Sequence, residues 1–442
     1  MRFYRPPMRI VYCWAAAVAV GLLPHVGRAD VKLPAILGSN MVLQQDKPLT
    51  IWGKADPGEQ VTVTLGEQKQ STAANDQGRW SVKFEPMKAG GPVEMTVAGK
   101  NSLKLTNILI GEVWVCSGQS NMEWTVDRAN NPSEEIAAAK YPKIRLFKVT
   151  KAIAMQPADD CVGAWVECTP ENIPGFSAVG YFFGRDLQQA INLPVGLINT
   201  SWGGTPAEAW TTRATLAAND QLKPIDDRGA QALADLPKAE ERYKQALEKW
   251  KEDSAQARKD KKTPPRQPQP PMGPNSPHFP AGLYNAMIAP LTNFAIRGAI
   301  WYQGESNASR AYQYRTLLPA MISDWRKAWN EGDFPFLVVQ LANFKQQQPE
   351  PVDSDWAELR EAQTLTTKQP NVGIALAIDI GEANDIHPRN KQEVGRRLAL
   401  AAEKIAYGRQ LEYSGPVYSG MKIDGSTIRL AFEHAKGLQA KG

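Results

Sequence analysis

The chain has 442 residues, of which 43% are hydrophobic and 22% charged, a balance typical of a globular protein rather than a disordered or fibrous one. Its length predicts two or three domains and a large buried core. The formal net charge is +5, but four of the 51 basic residues and none of the 46 acidic ones lie in the first 29 positions, so the remainder is close to neutral. This balance gives no reason to expect nucleic acid or an anionic membrane as a partner.

Residues 1–29 have the pattern of a secretory signal peptide. Three arginines precede an apolar run at 10–23, and a small residue, Ala29, ends the segment. The apolar run is short for a membrane span. We therefore expect cleavage after Ala29 and an exported protein, periplasmic or secreted, without a membrane attachment once the signal is removed.

Residues 30–106 form the first predicted domain. Short runs of β-forming residues alternate with turn signals such as Asp-Pro-Gly and Gly-Gly-Pro, and the runs lie at 49–52, 60–65, 80–84 and 93–98. This spacing predicts a small β-sandwich. A packing module and a carbohydrate-facing module are both compatible with it.

Residues 107–408 form the second predicted domain, in which strands and helices alternate. The predicted strands lie at 113–115, 195–200, 296–303, 336–341 and 372–379, and the predicted helices at 176–190, 283–291, 311–330, 356–368 and 390–407. Such alternation favours an α/β fold with a mainly parallel sheet covered by helices on both faces. Functional sites of such sheets gather at the carboxyl ends of the strands.

Two segments depart from this alternation. At about 232–275 a highly charged stretch precedes a proline-rich one, which we interpret as a solvated helix and an irregular loop. A peripheral insertion is the main interpretation, and a substrate lid is the alternative. Residues 409–442 contain two or three short predicted strands, which indicate a partial C-terminal β region.

The cysteines leave two interpretations open. Cys161 and Cys168 lie close together and could close a small loop by a disulfide, as exported proteins often do. Two free buried thiols are equally compatible with the sequence. Cys116 falls in a predicted buried strand and is expected to be a packed thiol.

Ser120 is the candidate nucleophile. The predicted strand at 113–115 runs into a turn of small residues, and Ser120 follows at the start of a short predicted helix. Enzymes with α/β folds place nucleophiles at such strand ends. An ordinary helix cap is the alternative, and the last glycine of the α/β-hydrolase elbow is missing, so catalysis requires partners from elsewhere in the chain.

Three further strand ends supply those partners. Gly203 or Gly204, with Gly204 preferred, can bring a backbone N–H next to a reacting carbonyl. Asn307 has a neutral side-chain amide suited to a developing oxyanion. His387 can act as a base, and Asp385 is close enough in sequence to orient it. A nucleophile, a base, an orienting group and oxyanion donors together predict acyl transfer.

Four blocks of sequence resemble the sialate O-acetylesterases, which belong to the SGNH hydrolase superfamily. The blocks are GQSNM at 118–122, WGGT at 202–205, WYQGESN at 301–307 and DIHP at 385–388. The resemblance covers 107–408 and extends to the segment 34–53. It implies a flavodoxin-like three-layer α/β/α fold and removal of acetyl groups from sugar hydroxyls, without a metal or a cofactor.

The same resemblance implies roles for individual residues. Ser120 would be the nucleophile and His387 the general base and then the acid, with Asn307 and a glycine as oxyanion donors. The superfamily usually has an aspartate three residues before the histidine, but Asn384 stands there and Asp385 is only two residues away. Either Asp385 or a backbone carbonyl could therefore orient the imidazole.

Residues beside the catalytic positions are candidates for substrate binding. Gln119, Gln303 and Glu305 could contact sugar hydroxyls, or they could satisfy buried loop backbone. Arg128 and Arg389 are candidates for holding the carboxylate of a sialic acid.

We therefore predict a carbohydrate O-acetylesterase, most specifically a sialate O-acetylesterase with a Ser-His(-Asp) acyl-enzyme mechanism and an O-acetylated sugar as its substrate. The alternatives are an acetyl-xylan or other plant-glycan acetylesterase and, in a different class, a non-catalytic carbohydrate-binding protein on the same fold. The sequence has no His-Glu-x-x-His pattern, so a zinc hydrolase is not favoured.

Overall fold

The computed structural model describes residues 30–439, so the predicted signal segment at 1–29 lies outside the described residues. The strands are β1 (Val42–Gln44), β2 (Leu49–Lys54), β3 (Gln60–Leu65), β4 (Gln68–Ala73), β5 (Arg79–Phe84), β6 (Gly90–Ala98), β7 (Ser102–Gly118), β8 (Tyr141–Lys148), β9 (Trp165–Cys168), β10 (Val195–Asn199), β11 (Gly298–Tyr302), β12 (Phe336–Val339), β13 (Val372–Ala375), β14 (Val417–Asp424) and β15 (Thr427–Glu433). The α-helices are α1 (Ser120–Glu123), α2 (Pro132–Ala138), α3 (Ala178–Ile191), α4 (Arg213–Ala217), α5 (Lys223–Lys259), α6 (Ala311–Trp329), α7 (Asp355–Leu365) and α8 (Lys391–Ile405).

The fold is mixed α/β, with helices packed on a central sheet. The strand order is β13-β12-β11-β7-β10-β8-β9, and all neighbours are parallel except β9, which runs antiparallel to β8 at one edge. Every residue of β10, β11, β12 and β13 is buried. Parallel strands of this kind are hydrophobic on both faces and need helices on each.

Strand β7 connects the N-terminal β region to this sheet. Its first half pairs with β6 and β1, and its second half pairs with β10 and β11. Side chains alternate between partly buried and exposed from Ser102 to Asn107, and every residue from Ile108 onward is buried. The predicted boundary between the first and second domains, at residues 106 and 107, therefore lies inside one continuous strand.

The N-terminal region contains a second β element beside β7. Strands β2 and β5 form an antiparallel ribbon, while β4, β3 and β6 pair in that order and lead into β7. Along β5 buried and exposed residues alternate, as expected for a strand with one face on the core.

Strands β8 and β9 were not among the predicted elements. Charged residues interrupt β8, and one of them, Arg145, is nonetheless only 3% exposed. Its guanidinium pairs with Glu167 on β9 and donates hydrogen bonds to Asn40 and Asn107. The predicted helix at 283–291 is instead one π-helical turn, Tyr284–Ile288, followed by a 3₁₀ turn, Ala289–Leu291.

The optional disulfide is not formed. Cys161 and Cys168 are both free, buried thiols. The chain between them enters the extended strand β9, which carries Cys168 away from Cys161. Burial raises the pKa of each of these thiols to about 12, which makes them poor nucleophiles. Cys116 is also buried, as predicted for a packed thiol.

The charged insertion is helical. Helix α5 begins at Lys223, earlier than the predicted start at 232, and it contains Pro237. The proline-rich segment after it is largely exposed, and the Trp250 indole N–H donates to the Pro265 carbonyl at 2.8 Å, which holds the segment against the helix. Near the C-terminus, β14 and β15 form an exposed antiparallel hairpin. Between residues 30 and 439, no helix has the length and apolarity needed to cross a membrane.

Candidate active site

The turn between β7 and α1 places Ser120 at the carboxyl edge of the sheet. Gly118 has φ of +138°, and a Cβ at this position would lie 2.1 Å from the Tyr302 carbonyl oxygen, so only glycine fits. The Gln119 N–H donates to that same carbonyl at 2.9 Å. Gln119 occupies the N-cap position of α1, so Ser120 is the first helical residue and not an ordinary cap.

Ser120 and His387 lie within hydrogen-bonding distance. The Ser120 Oγ is 2.9 Å from the His387 Nε2, although the two residues come from opposite ends of the α/β region. The imidazole stacks on the Trp124 indole, with 5.2 Å between the ring centroids and 17° between the planes. Nucleophile and base thus have the separation that proton transfer requires.

The surroundings of His387 favour its neutral form. Burial lowers the pKa of His387 below its usual value of 6.5, and the charges of Lys391 and Arg128 lower it further, while the Asp385 carboxylate acts in the opposite direction. A neutral imidazole can accept the Ser120 proton at neutral pH.

Asp385 lies near the imidazole without hydrogen-bonding to it. The Asp385 Oδ1 is 3.7 Å from the His387 Nδ1, which exceeds hydrogen-bonding distance. The same oxygen accepts the His387 backbone N–H at 2.8 Å. The carboxylate therefore stabilises the turn before the histidine, and 44% of its side-chain surface is exposed.

Of the two candidate glycines, Gly203 lies against the nucleophile. A Cβ on Gly203 would be 3.2 Å from the Ser120 Cβ, and the Gly203 N–H donates to a Glu123 carboxylate oxygen at 2.6 Å. Gly204 is exposed, has φ of +76°, and has no atom within 4 Å of the Cβ position. The preferred glycine of the sequence prediction is thus the more distant of the two from Ser120.

Asn307 is 1% exposed and held in a fixed orientation. Its Oδ1 accepts the Ala207 N–H at 2.9 Å and the Gln303 Nε2 at 2.7 Å, while its Nδ2 donates to Glu208 at 2.9 Å. Arg310 in turn pairs with Glu208 at 2.5 Å. Since an amide nitrogen carries two hydrogens, one N–H of Asn307 has no partner among the described residues.

Gln119 and Gln303 hold loops together and do not line the cleft. The Gln119 Oε1 accepts the backbone N–H groups of Gly304 and Ser306 at 3.3 and 3.2 Å, and the Gln303 Nε2 donates to the Thr205 carbonyl at 3.2 Å. Their exposed fractions are 3% and 0%. Of the two interpretations offered for these amides, the contacts in the structure are those with buried loop backbone.

Glu305 belongs to a polar cluster that the sequence prediction missed. The Glu305 Oε1 accepts from the Asn121 Nδ2 at 2.5 Å, and the Asn121 Oδ1 accepts from the Lys391 Nζ at 2.5 Å. Lys391 has no exposed surface. A sequence signal for it exists, since Lys391 shares the helical spacing of the buried residues Val394 and Leu398 on α8.

A cleft of about 470 Å³ opens over the nucleophile and is lined by Ser120, Glu123, Trp124, Thr125, Arg128, Asp385 and His387. The Arg128 guanidinium lies 3.8 Å from the centroid of the Trp124 ring, and within residues 30–439 it has no ion-pair partner. Glu123 pairs with Lys151. Over the same residues, no group of three or more His, Cys, Asp or Glu side chains could hold a metal ion.

These features make the cleft a candidate site for ester hydrolysis, with Ser120 as the candidate nucleophile. A serine hydroxyl contacts a neutral imidazole at the carboxyl edge of a parallel sheet, and glycine and asparagine N–H donors lie on neighbouring loops. These are the residue types that acyl transfer requires, and in this structure the Gly203 N–H donates to Glu123.

Comparison with known proteins agrees with this class. The family model described as "Carbohydrate esterase, sialic acid-specific acetylesterase" matches residues 110–260 and 275–404. The sialate O-acetylesterase of Mus musculus is 32% identical, with 93% of this chain and 80% of the mouse protein covered, and that of Homo sapiens is 33% identical, with 91% and 78% covered. A solved structure, a novel carbohydrate acetylesterase from Xanthomonas citri, is 36% identical with a TM-score of 0.76 and covers 91% of this chain and 82% of its own.

The chain belongs to the sialic acid-specific acetylesterase family of carbohydrate esterases. It is accordingly a carboxylic ester hydrolase of the carbohydrate O-acetylesterase type. The unmatched stretch between 260 and 275 coincides with the proline-rich segment that follows α5.

Proposed function

We propose that this protein removes acetyl groups from the hydroxyls of sialic acids, with Ser120 as nucleophile and His387 as general base. The observation that carries the proposal is the 2.9 Å contact between the Ser120 Oγ and the His387 Nε2 inside an open cleft. The names of the similar proteins from mouse and human support the choice of sugar.

The reaction proceeds through an acyl-enzyme. His387 takes the Ser120 proton as Oγ attacks the acetyl carbonyl, and the tetrahedral oxyanion accepts hydrogen bonds from the Ser120 N–H, the free N–H of Asn307 and the Gly203 N–H, which Glu123 releases. His387 then protonates the departing sugar oxygen. In the second half, water gives its proton to His387 and attacks the acyl carbon, and acetate leaves as Ser120 recovers its proton.

Acetate release by Ser120→Ala tests the nucleophile. Removing a member of a serine–histidine pair lowers turnover by several orders of magnitude, so the variant should release acetate far more slowly than the wild-type protein. A fluorophosphonate probe should label the wild-type protein at Ser120 and should not label Ser120→Ala. Wild-type turnover by the variant would refute the mechanism, and failure of the wild type to label or turn over would favour a carbohydrate-binding protein without catalysis.

Arg128 is the proposed determinant of an acidic sugar. Its guanidinium rests on Trp124 at the cleft wall and has no carboxylate partner within the described chain, so it can bind a substrate carboxylate. Arg128→Ala should raise KM for O-acetylated sialic acid about tenfold and leave the hydrolysis of neutral 4-nitrophenyl acetate within about twofold of wild type. Arg128→Lys is the matched control, since it keeps the positive charge but loses the planar guanidinium that can donate two hydrogen bonds to one carboxylate.

A panel of acetylated sugars separates the sialate proposal from its alternative. Faster turnover of acetyl-xylan than of O-acetylated sialic acid, with no effect of Arg128→Ala, would assign the protein to plant-glycan deacetylation. Equal turnover of both would leave Arg128 without a role in specificity.

We further infer that the α/β region is a flavodoxin-like three-layer SGNH hydrolase domain preceded by a β-sandwich-like domain. The parallel strand order around β7 and the packing of α3 against α8 support this arrangement. We also propose that residues 1–29 direct export and are removed. N-terminal sequencing of the protein from the producing cells should begin at Asp30, and an N-terminus at Met1 would refute cleavage.

A further inference from the structure

The imidazole of His387 is positioned without a hydrogen bond from a carboxylate. Its Nδ1 is 3.7 Å from Asp385, and the Trp124 ring supports only its face. A base that must stay aligned with the Ser120 Oγ needs its backbone fixed relative to the nucleophile. The contacts that fix it come from the buried cluster of Asn121, Glu305 and Lys391.

Asn121 connects the nucleophile turn to the histidine loop. It directly follows Ser120, and its Nδ2 donates to the carbonyl of Ile386, the residue before His387, at 3.0 Å. The same nitrogen donates to Glu305, and the oxygen accepts from Lys391, so both ends of the amide are engaged. With 1% of its surface exposed, Asn121 has no solvent to compete for these bonds.

Lys391 holds the other end of this connection. It lies in the first turn of α8, and its Nζ is 5.3 Å from the Tyr302 ring centroid and 5.8 Å from that of Trp124, the indole on which His387 stacks. Burying an ammonium group without a direct carboxylate contact destabilises the folded state. A stable fold alone does not call for a lysine at this position, because an apolar side chain would fill it at lower cost.

We propose that Lys391, acting through Asn121, is a positioning residue that fixes the His387 loop against Ser120. This inference rests on the proposed Ser120–His387 mechanism and deepens it. The charged groups that face Lys391 are Glu305 after β11 and Asp385 and His387 before α8, while Arg128 adds a second positive charge near the imidazole.

The charges act on His387 in a defined direction. Burial lowers the pKa of Lys391 to about 7, so the lysine is mostly protonated over the acidic range in which His387 titrates. Its charge then lowers the pKa of His387. Removing the charge should raise that pKa, so a larger fraction of His387 would be protonated and inactive at mildly acidic pH.

The pH profile of Lys391→Met tests the inference. With 4-nitrophenyl acetate, the acid limb of kcat/KM should move to higher pH by about half a unit or more, and kcat should fall about tenfold with KM nearly unchanged. Asn121→Ala should also lower kcat, because the tie to Ile386 is lost while the lysine charge remains. Lys404→Met, on the last turn of the same helix, is the matched control and should leave both the limb and kcat as in wild type.

Thermal melting of each variant separates folding from positioning. A folded Lys391→Met protein with the wild-type acid limb and kcat would overturn the inference. If Lys391→Met does not fold, Asn121→Ala decides, because wild-type kcat in that variant would also overturn it. Failure of the proposed function itself looks different, since Ser120→Ala would then remain active whatever the result at Lys391.

Discussion

The replacement Asp385→Asn measures how far this enzyme depends on a third catalytic group. Asparagine is almost the same size, and its Oδ1 can still accept the His387 backbone N–H that Asp385 accepts at 2.8 Å. The substitution therefore removes the negative charge and leaves the turn intact.

The expected loss follows from distance and exposure. Opposite unit charges 3.7 Å apart attract by about 1 kcal/mol in water and by about 4.5 kcal/mol at an effective dielectric constant of 20. Since 44% of the Asp385 side chain is exposed, solvent screening favours the lower end, about 1–2 kcal/mol of stabilisation for the imidazolium that forms during the reaction. This corresponds to a fall of about 5- to 30-fold in kcat/KM, far below the roughly 10⁴-fold loss expected when a carboxylate hydrogen-bonds to the histidine.

The assay is kcat/KM for 4-nitrophenyl acetate between pH 5 and 9. Because the Asp385 charge raises the pKa of His387, the acid limb of Asp385→Asn should move to lower pH, opposite to the shift expected for Lys391→Met. Asp385→Ala, which also loses the backbone contact, should be more impaired. A loss of 1,000-fold or more in the asparagine variant would refute the reasoning and establish a conventional triad.

Three further outcomes are expected. Gly203→Ala should lower kcat/KM about 10- to 100-fold, because its methyl group would crowd Ser120. Gly204→Ala has open space around its methyl group and should mainly lower the melting temperature, because alanine is strained at φ +76°. The reverse pattern would assign the oxyanion donor to Gly204. Burial lowers the pKa of Lys391 to about 7, so the wild-type fold should gain stability relative to Lys391→Met as the pH rises from about 7 to 10.5, the window in which the unfolded lysine holds a proton that the folded one releases. Denaturant unfolding of both proteins across that window would show it. Thiol titration of the unfolded protein lacking residues 1–29 should count three thiols, and a count of one would restore the Cys161–Cys168 bridge.

Ser120 and His387 could be predicted from the sequence as a pair, whereas the burial of Lys391 left only a weak signal, its helical spacing with Val394 and Leu398. Ser120 and His387 follow predicted strand ends, and the topology of a parallel sheet brings such ends to one edge. Lys391 lies in the first turn of a helix, where a lysine is normally solvated. It is buried because α8 packs closely on α3, where a Cβ on Gly395 would lie 2.5 Å from the Phe182 Cβ, and that contact is a property of the tertiary structure.

In the fold, as in the site, features that depend on local sequence were predicted and features that depend on tertiary contacts were missed. The alternation of strands and helices predicted a mixed α/β protein. Strand β8 was missed because Arg145 interrupts its apolar pattern, and the groups that pair with the buried guanidinium, among them Glu167 on β9 and Asn107 on β7, come from other parts of the chain. For Gln119 and Gln303 the sequence left two roles open, contact with sugar hydroxyls and support of buried loop backbone. The structure shows their amides bonded to the backbone of neighbouring loops, which is information that only the tertiary structure supplies.

The 17-residue strand β7 also limits where the protein can be truncated. A truncated enzyme beginning at residue 107 would start in mid-strand and would lack β1, whose Val42 and Leu43 pair with Leu109 and Ile110. The backbone N–H and C=O groups of β7 that β1 had paired would then be free to pair with strands of other molecules, which would favour aggregation. The N-terminal β region is thus part of the scaffold that carries Ser120. A domain that can be removed without harm is joined by a linker, whereas the junction here is a continuous strand.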